Sequence, residues 1–212
     1  MNALARPAVW LLISLAMLIV AGLGLYGLTT VMPGEDLALV RGVAGDRTQF
    51  LTALAHGASL LGRSAVLVPA AIVIALVAVL LRRPRAGLAP LAGILGAVVI
   101  QNADKALVGR PRPPVHRLEA VSSTSFPSGH ATEATAFFLV VAFVLVRDSH
   151  ARSVRLLVPV TAIVIIAAVA LSRVYLGVHY PTDVVAGMLL GGGWGVLTVM
   201  AFSASGHSHV RS

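Results

Sequence analysis

The chain has 212 residues, of which 58% are hydrophobic and only 11% are charged. Soluble domains carry about 25% charged residues, so this composition excludes a water-soluble globular protein. A membrane helix needs about 20 apolar residues, and the hydrophobic fraction is enough for six such helices joined by short loops. We therefore expect an all-α polytopic membrane protein, a six-transmembrane-helix bundle with short interfacial helices, in which residues 1–212 form a single domain.

The formal net charge is +8, and the chain contains no cysteine. The basic residues are not interleaved with aromatic side chains, which argues against a nucleic-acid partner and favours a lipid phosphate. Without cysteine the chain has no disulfide, no thiolate nucleophile and no cysteine-based metal site.

Six runs almost free of charge predict the membrane spans. They lie between residues 6 and 35 and at 64–81, 86–103, 128–146, 156–172 and 184–202. The first run is longer than the apolar core of a signal peptide, which has about 7–15 residues, and it is expected to be retained as an anchor. Between the first two spans, four residues at helical spacing predict a short interfacial helix. These residues are Phe50, Leu51, Leu54 and Ala58.

Three glycines recur at every fourth position of the last predicted span, namely Gly187, Gly191 and Gly195. Such a stripe lets a neighbouring helix approach closely. Helix packing within the monomer is the expected role, and a homodimer interface is the alternative.

Basic residues in the loops predict the orientation of the chain in the cell membrane. The sixteen basic residues divide equally between the two faces. Basic residues orient a membrane protein mainly through short cytoplasmic loops, so the dense clusters at 82–85 and 147–155 count for more than basic residues spread over longer loops. We therefore expect both termini in the cytoplasm and the loops at 105–130 and 173–183 outside it.

These two outer loops carry the residues capable of chemistry. Because two spans separate the loops, they emerge on the same face of the membrane whatever the orientation. The pattern therefore gathers three cations, two histidines and a carboxylate at one end of the bundle. They are Lys105, Arg112, Arg173, His130, His179 and Asp183.

The three cations suit a phosphate, because forked guanidinium groups and a compact ammonium match its oxygens. Ser128 and Gly129 stand where the fourth span begins, so their backbone N–H groups are expected to point at the same anion. For any single arginine, a side chain that reaches the membrane surface without binding a ligand is the alternative.

Two histidines and a carboxylate can divide a phosphoryl transfer between them. One imidazole attacks phosphorus while the other protonates the departing oxygen. Asp183 lies four residues after His179 and can orient that ring. Glu133 is expected to favour the positive end of its helix, with a catalytic role as the alternative. The remaining histidines are expected to be structural, namely His56, His116, His150, His207 and His209.

These segments resemble the three motifs of the type-2 phosphatidic acid phosphatase family. The family pattern is Lys, six residues, Arg-Pro; then Pro-Ser-Gly-His; then Ser-Arg, five residues, His, three residues, Asp. The chain matches every fixed position between residues 105 and 183. The matching residues are Lys105, Arg112, Pro113, Pro127, Ser128, Gly129, His130, Ser172, Arg173, His179 and Asp183.

The resemblance implies a role for each motif residue. His179 would be the nucleophile that forms a phosphohistidine, Asp183 would orient it, and His130 would be the general acid and then the base. Fixed cations would replace a metal, so no metal or cofactor is implied. The phosphate would be held by Lys105, Arg112, Ser128, Gly129 and Arg173.

The expected partner is a lipid phosphate or lipid pyrophosphate, because the pocket opens at the level of the head groups. Phosphatidic acid, phosphatidylglycerol phosphate and a polyprenyl pyrophosphate all remain open as substrates. The competing hypothesis is an anion-binding membrane protein or transporter. A transporter is expected to have broken helices at the midplane, whereas these polar clusters lie at the ends of spans.

Overall fold

The computed structural model describes residues 14, 18–27, 29 and 33–204, and these form helices joined by loops, without strands. The all-α prediction is confirmed for this part of the chain. The helices are α1 (Leu18–Gly27), α2 (Pro33–Gly45), α3 (Gln49–Leu60), α4 (Ser64–Leu80), α5 (Pro84–Val108), α6 (Gly129–Arg147), α7 (Arg152–Tyr175) and α8 (Pro181–Ala204).

The described part of the chain does not confirm the expected six spans. Helices α5 to α8 are each long and apolar enough to cross a bilayer, and α3 and α4 form a fifth span if the two are counted together across a 45° bend. Half of the first predicted span lies outside the described residues, and α1 alone is too short to cross. The described part of the chain therefore supports four or five spans.

The segment between the first two predicted spans contains two helices where one was expected. The predicted interfacial helix corresponds to α3, which exposes Phe50, Leu51 and Leu54 and buries Ala55 and Ser59. Helix α2 was not predicted. Its first turn carries Glu35 and Asp36, whose charges suit the positive end of a helix.

Helix α6 is central, because it packs against α5, α7 and α8 and also touches α4. Its first two turns are almost entirely buried and are rich in small residues, including Ala131, Ala134 and Ala136. In a bilayer, small side chains are what allow helices to approach closely. This packing fixes the start of α6 beside the ends of its neighbours, where the polar loops lie.

The glycine stripe of α8 packs against α6 within the monomer. A methyl group on Gly187 would meet the carbonyl oxygen of Ser128 at 2.7 Å, and one on Gly191 would overlap the backbone of Thr132. A methyl group on Gly195 would lie 3.3 Å from Leu139. The face that carries these glycines is therefore occupied by α6, as expected for packing within one chain.

We predict that Gly191→Ala destabilises the bundle, whereas Gly192→Ala does not. A methyl group at Gly192 would lie 3.8 Å from Thr135, an ordinary contact. Overpacking costs about 1–3 kcal/mol, while alanine in place of glycine favours the helix by about 1 kcal/mol. Thermal unfolding in detergent should show a lower midpoint for Gly191→Ala and an equal or higher one for Gly192→Ala. Equal midpoints for the two variants would contradict the packing described above.

Candidate active site

The two polar loops meet at one end of the bundle, as the spacing of the spans predicted. Gly109 ends α5 with a left-handed backbone, φ 64°, and Gly177 turns the chain after α7 with φ 73°. Backbone hydrogen bonds then join the loops, from Leu118 N–H to Leu176 O at 3.0 Å and from Ser128 N–H to Asp183 O at 3.0 Å. The second bond fixes the start of α6 to the start of α8.

His179 is buried between the two loops, with only 2% of its surface exposed. Nη1 of Arg112 lies 3.2 Å from its Nε2. Because a guanidinium only donates, Nε2 is the unprotonated nitrogen and Nδ1 carries the proton. Nδ1 lies 3.5 Å from Asp183 Oδ2, so a small approach of the ring would form the hydrogen bond. The lone pair of Nε2 therefore faces the cations.

Burial also keeps this imidazole neutral. It lowers the pKa of His179 to about 3, because an imidazolium would lose its hydration, and Arg112 and Lys105 add to the effect while Asp183 opposes it. A neutral ring with a free lone pair is the nucleophilic form of histidine.

Asp183 is fully buried and accepts several hydrogen bonds through its carboxylate. The Nη1 group of Arg110 donates to Oδ1 at 2.5 Å, while Ser125 Oγ and Tyr180 N–H donate to Oδ2. A buried carboxylate with this many donors is held ionised and in one orientation. Asp183 therefore has the geometry expected of the residue that orients His179.

Arg110 is the most important residue that the sequence analysis missed. Its other nitrogen, Nη2, donates to Asp36 of α2 at 2.8 Å, and its guanidinium stacks on the ring of Tyr180 at 4.0 Å. Burial would lower the pKa of Arg110, but Asp183 and Asp36 raise it above its usual value. Asp36 also accepts from the backbone and side chain of Thr182. The N-terminal part of the chain is thus joined to the predicted catalytic carboxylate.

Two predicted phosphate ligands, Lys105 and Arg112, are held by uncharged groups. The Nζ group of Lys105 donates to Thr124 O at 2.8 Å, and Arg112 donates to Ser123 O at 2.8 Å and to Val178 O. Burial, followed by the charge of Arg173, lowers the pKa of Arg112 to about 10, so it remains a cation at neutral pH. Within the described residues neither side chain forms a salt bridge, so two positive charges remain available to an anion.

The third predicted ligand, Arg173, is almost fully buried and has a carboxylate partner that was not predicted. Its Nη1 donates to Glu119 Oε2 at 2.6 Å and to Ser59 Oγ, while its Nε is buried without a partner. Glu119 also accepts from Arg63 at 2.6 Å. Burial would raise the pKa of Glu119, but Arg173 and Arg63 lower it to about 2, so it is ionised at physiological pH.

Several buried polar atoms at this end of the bundle lack a partner in the described part of the chain. They include His130 Nε2 and Ser128 Oγ. An unsatisfied buried polar atom costs about 1–3 kcal/mol, which suggests that a ligand completes the site.

The Ser128 N–H was expected to face the anion, but Asp183 O accepts it instead. The first bond of α6 runs from Thr132 N–H to Ser128 O, so Gly129, His130 and Ala131 keep N–H groups without an acceptor in the helix.

Glu133 lies in the second turn of α6, where it was expected only to complement the helix dipole. It is 3% exposed and accepts a hydrogen bond from Ser64 Oγ at 2.6 Å. This bond fixes α6 to the start of α4, which is a structural role beyond the expected one.

Among the other histidines, His116 and His150 are exposed and His56 is half-buried, while His207 and His209 lie outside the described residues.

The described residues contain no group of three or more histidine or carboxylate side chains arranged to hold a metal ion. What they do hold is a neutral histidine beside a buried carboxylate, a second histidine and a surplus of positive charge. Such a helical bundle belongs to the class of membrane-embedded enzymes that act on phosphate groups.

Comparison with known proteins identifies the family. The model of the PAP2 superfamily matches residues 86–207, which is more than half of the chain. The chain therefore belongs to the PAP2 superfamily, the type-2 phosphatidic acid phosphatases whose motifs it resembles, and it is a phosphatase.

Relatives of known activity agree with this assignment. Phosphatidylglycerophosphatase B of Bacillus subtilis is 32% identical over 168 residues, covering 77% of this chain and 81% of that protein. Decaprenylphosphoryl-5-phosphoribose phosphatase of Mycobacterium tuberculosis is 40% identical over 114 residues, covering 52% of this chain and 58% of that protein. The crystal structure of a transmembrane PAP2-type phosphatidylglycerolphosphate phosphatase from Bacillus subtilis is similar with a TM-score of 0.82 and 28% identity, covering 92% and 98% of the two chains.

We predict that Arg110→Gln lowers both stability and turnover, because it leaves Asp36 and Asp183 buried without their cation. Breaking a buried ion pair costs about 3–5 kcal/mol. Adding Asp36→Asn to Arg110→Gln should recover much of the stability but little of the activity, because Asp183 still lacks its partner. Thermal unfolding and phosphate release measured on the single and double variants test this. An Arg110→Gln variant with an unchanged unfolding midpoint would contradict the bridging role.

Proposed function

We propose that the chain is an integral membrane lipid phosphatase that hydrolyses a phosphomonoester or pyrophosphate of a lipid through a phosphohistidine on His179. The observation that carries the proposal is the placement of His179 between Arg112 and Asp183, which leaves Nε2 unprotonated and directed at the cations. The competing hypothesis of a transporter is disfavoured because the chain belongs to a phosphatase family.

In the first step, Nε2 of His179 attacks phosphorus and the bond from phosphorus to the leaving oxygen breaks. His130, in its imidazolium form, gives that oxygen a proton and becomes neutral, so the lipid leaves as an alcohol, or as a monophosphate when the substrate is a pyrophosphate. Arg112 has to turn from Nε2 to the phosphate oxygens when substrate binds. Before then, its hydrogen bond occupies the lone pair of the resting nucleophile.

In the second step, His130 removes a proton from water, and the water oxygen attacks phosphorus while the phosphorus–nitrogen bond breaks. Inorganic phosphate then leaves, and His179 is regenerated with its proton still on Nδ1. The fixed cations Lys105, Arg112 and Arg173 neutralise the charge on the equatorial oxygens in both steps. The N–H groups of Gly129 and its neighbours, together with Ser128 Oγ, add uncharged donors.

For the substrate, the relatives favour lipids that carry a terminal phosphate. The Bacillus subtilis relative, which covers 77% of the chain, is named for phosphatidylglycerol phosphate, and the mycobacterial one for a decaprenyl phosphoribose. Phosphatidylglycerol phosphate is therefore the first candidate, ahead of phosphatidic acid and a polyprenyl pyrophosphate. Phosphate release by purified protein against these three lipids tests the proposal, and no release from any of them would contradict it.

We predict that His179→Ala abolishes turnover, by roughly 10³-fold or more, but retains binding of a lipid phosphonate that cannot be hydrolysed. The cations supply most of the attraction for phosphate, whereas His179 makes the covalent bond. His130→Ala should lose less activity on substrates with acidic leaving groups, which need no proton. Calorimetry and phosphate release measure the two properties. The matched control is the exposed His116→Ala, which should behave as wild type, and near-normal turnover by His179→Ala would reject the nucleophile.

We predict that activity persists in excess EDTA, because side-chain cations take the place of a metal ion. Vanadate should inhibit, since it adopts the five-coordinate geometry of phosphoryl transfer opposite a nitrogen. Phosphate release with and without each reagent is the measurement. Loss of activity in EDTA that is restored by added Mg²⁺ would overturn a metal-independent mechanism.

We predict that the active site faces away from the cytoplasm, with both termini inside. The native chain has no cysteine, so single cysteines report the topology directly. An impermeant maleimide added to intact cells should label Ser122→Cys, in the site loop, but should label His150→Cys only after the membrane is permeabilised. Both positions are exposed. The reverse labelling pattern would place the active site in the cytoplasm.

A further inference from the structure

A strongly basic cavity lies at the end of the bundle opposite the predicted catalytic residues. Its volume is about 500 Å³, and four arginines line it against one carboxylate, Asp148. The arginines are Arg82, Arg83, Arg85 and Arg147. Asp148 lies 3.7 Å from Arg83 and 3.3 Å from Arg147, and all three side chains are well exposed. The residues that line this cavity therefore carry three more positive charges than negative ones.

The backbone of Arg82, at the edge of this cavity, has an unusual conformation for a side chain of this kind. Arg82 has a φ of 57° and is the one non-glycine residue with a left-handed backbone in the described part of the chain. It ends α4 in a pattern in which Arg83 N–H bonds Ala78 O at 2.7 Å and Arg82 N–H bonds Val79 O at 2.9 Å. Glycine, or less often asparagine, is the usual residue at this place. Strain held by a charged side chain suggests a function for that side chain.

An apolar cleft opens directly onto the basic cavity. Its volume is about 470 Å³, and it is walled mainly by side chains of α4 and α6, including Val73, Val77 and Val144. The cleft and the basic cavity share Arg83, Ala86 and Asp148. An apolar slot in a membrane protein that ends in a cluster of arginines has the two halves of a phospholipid site.

We propose that this combined cavity binds an anionic phospholipid of the leaflet opposite the active site. Arg82, Arg83 and Arg147 bind the phosphate of the head group, and an acyl chain lies along the cleft between α4 and α6. The site is separate from the catalytic one, because α5 runs from Pro84 beside the cavity to Lys105 at the other end, about 32 Å away. A surface of arginines that only sets the orientation of the protein needs neither a left-handed arginine nor a cleft continuous with the cluster.

The test uses Ser149→Cys, because Ser149 lines the cleft and the chain has no other cysteine. A fluorophore on this cysteine is placed in vesicles that contain equal mole fractions of either brominated phosphatidylglycerol or brominated phosphatidylcholine. Bound brominated chains quench the fluorophore. We expect at least twofold stronger quenching by the anionic lipid.

The decisive variant is Arg82→Gly with Arg147→Gln, which removes two charges from the cavity. Glycine suits the left-handed position, so Arg82→Gly alone should not lower the midpoint of thermal unfolding relative to the protein that carries only Ser149→Cys. The matched control, Arg152→Gln with Arg155→Gln, removes two charges from the nearby start of α7, outside the residues that line the cavity. The cavity variant should lose the preference for the anionic lipid, and the control should keep it.

Three results would overturn the proposal. Equal quenching of the labelled Ser149→Cys protein by both lipids would show only the ordinary lipid contact of a membrane protein. Equal loss of preference in the cavity and control variants would indicate a general surface charge. Displacement of the anionic lipid by an acidic peptide such as polyglutamate would assign the arginines to a protein partner.

Discussion

The site depends on one buried ion pair, formed by Arg110 Nη1 and Asp183 Oδ1 at 2.5 Å. Charged groups at this depth are stable only when they are paired and hydrogen-bonded. Because Arg110 also bonds Asp36, the pair joins α2, the loop after α5 and the start of α8. Asp183 holds the start of α6 through its carbonyl oxygen and lies beside His179, so the loss of this pair would release the parts that position the nucleophile.

The membrane explains why many of the buried polar groups lie at one end of the bundle. Within the hydrocarbon, the helices pack through alanine and glycine, and α8 approaches α6 closely at Gly187 and Gly191. This packing brings the ends of α5 and α7 and the starts of α6 and α8 together, where polar groups of the loops can form hydrogen bonds with one another. The charge there is not balanced, because Lys105 and Arg112 bond only uncharged groups and the imidazole of His179. A phosphate dianion supplies the missing charge.

The sequence predicted that the motif residues meet at one end of the bundle, because the two loops that carry them must share a face; their catalytic roles stay a prediction. It did not predict their supporting partners. Arg110 is joined to Asp36 and Glu119 to Arg173 and Arg63, and these residues are far apart in sequence with no periodicity to connect them. Helix α2 was missed because its pattern is only weakly amphipathic. The prediction that the Ser128 N–H binds the phosphate was wrong, because this group donates to the carbonyl oxygen of Asp183 in α8.

The most direct test of the proposed mechanism is to trap the covalent intermediate. Purified protein is mixed with a ³²P-labelled lipid phosphate, quenched in alkali within milliseconds and digested for mass spectrometry. The account predicts a phosphoryl group on His179 that is stable to alkali and labile to acid, and that is absent from His130. Full turnover with no phosphorylated peptide, together with inversion of configuration at a chiral phosphate, would show direct attack by water and contradict the account.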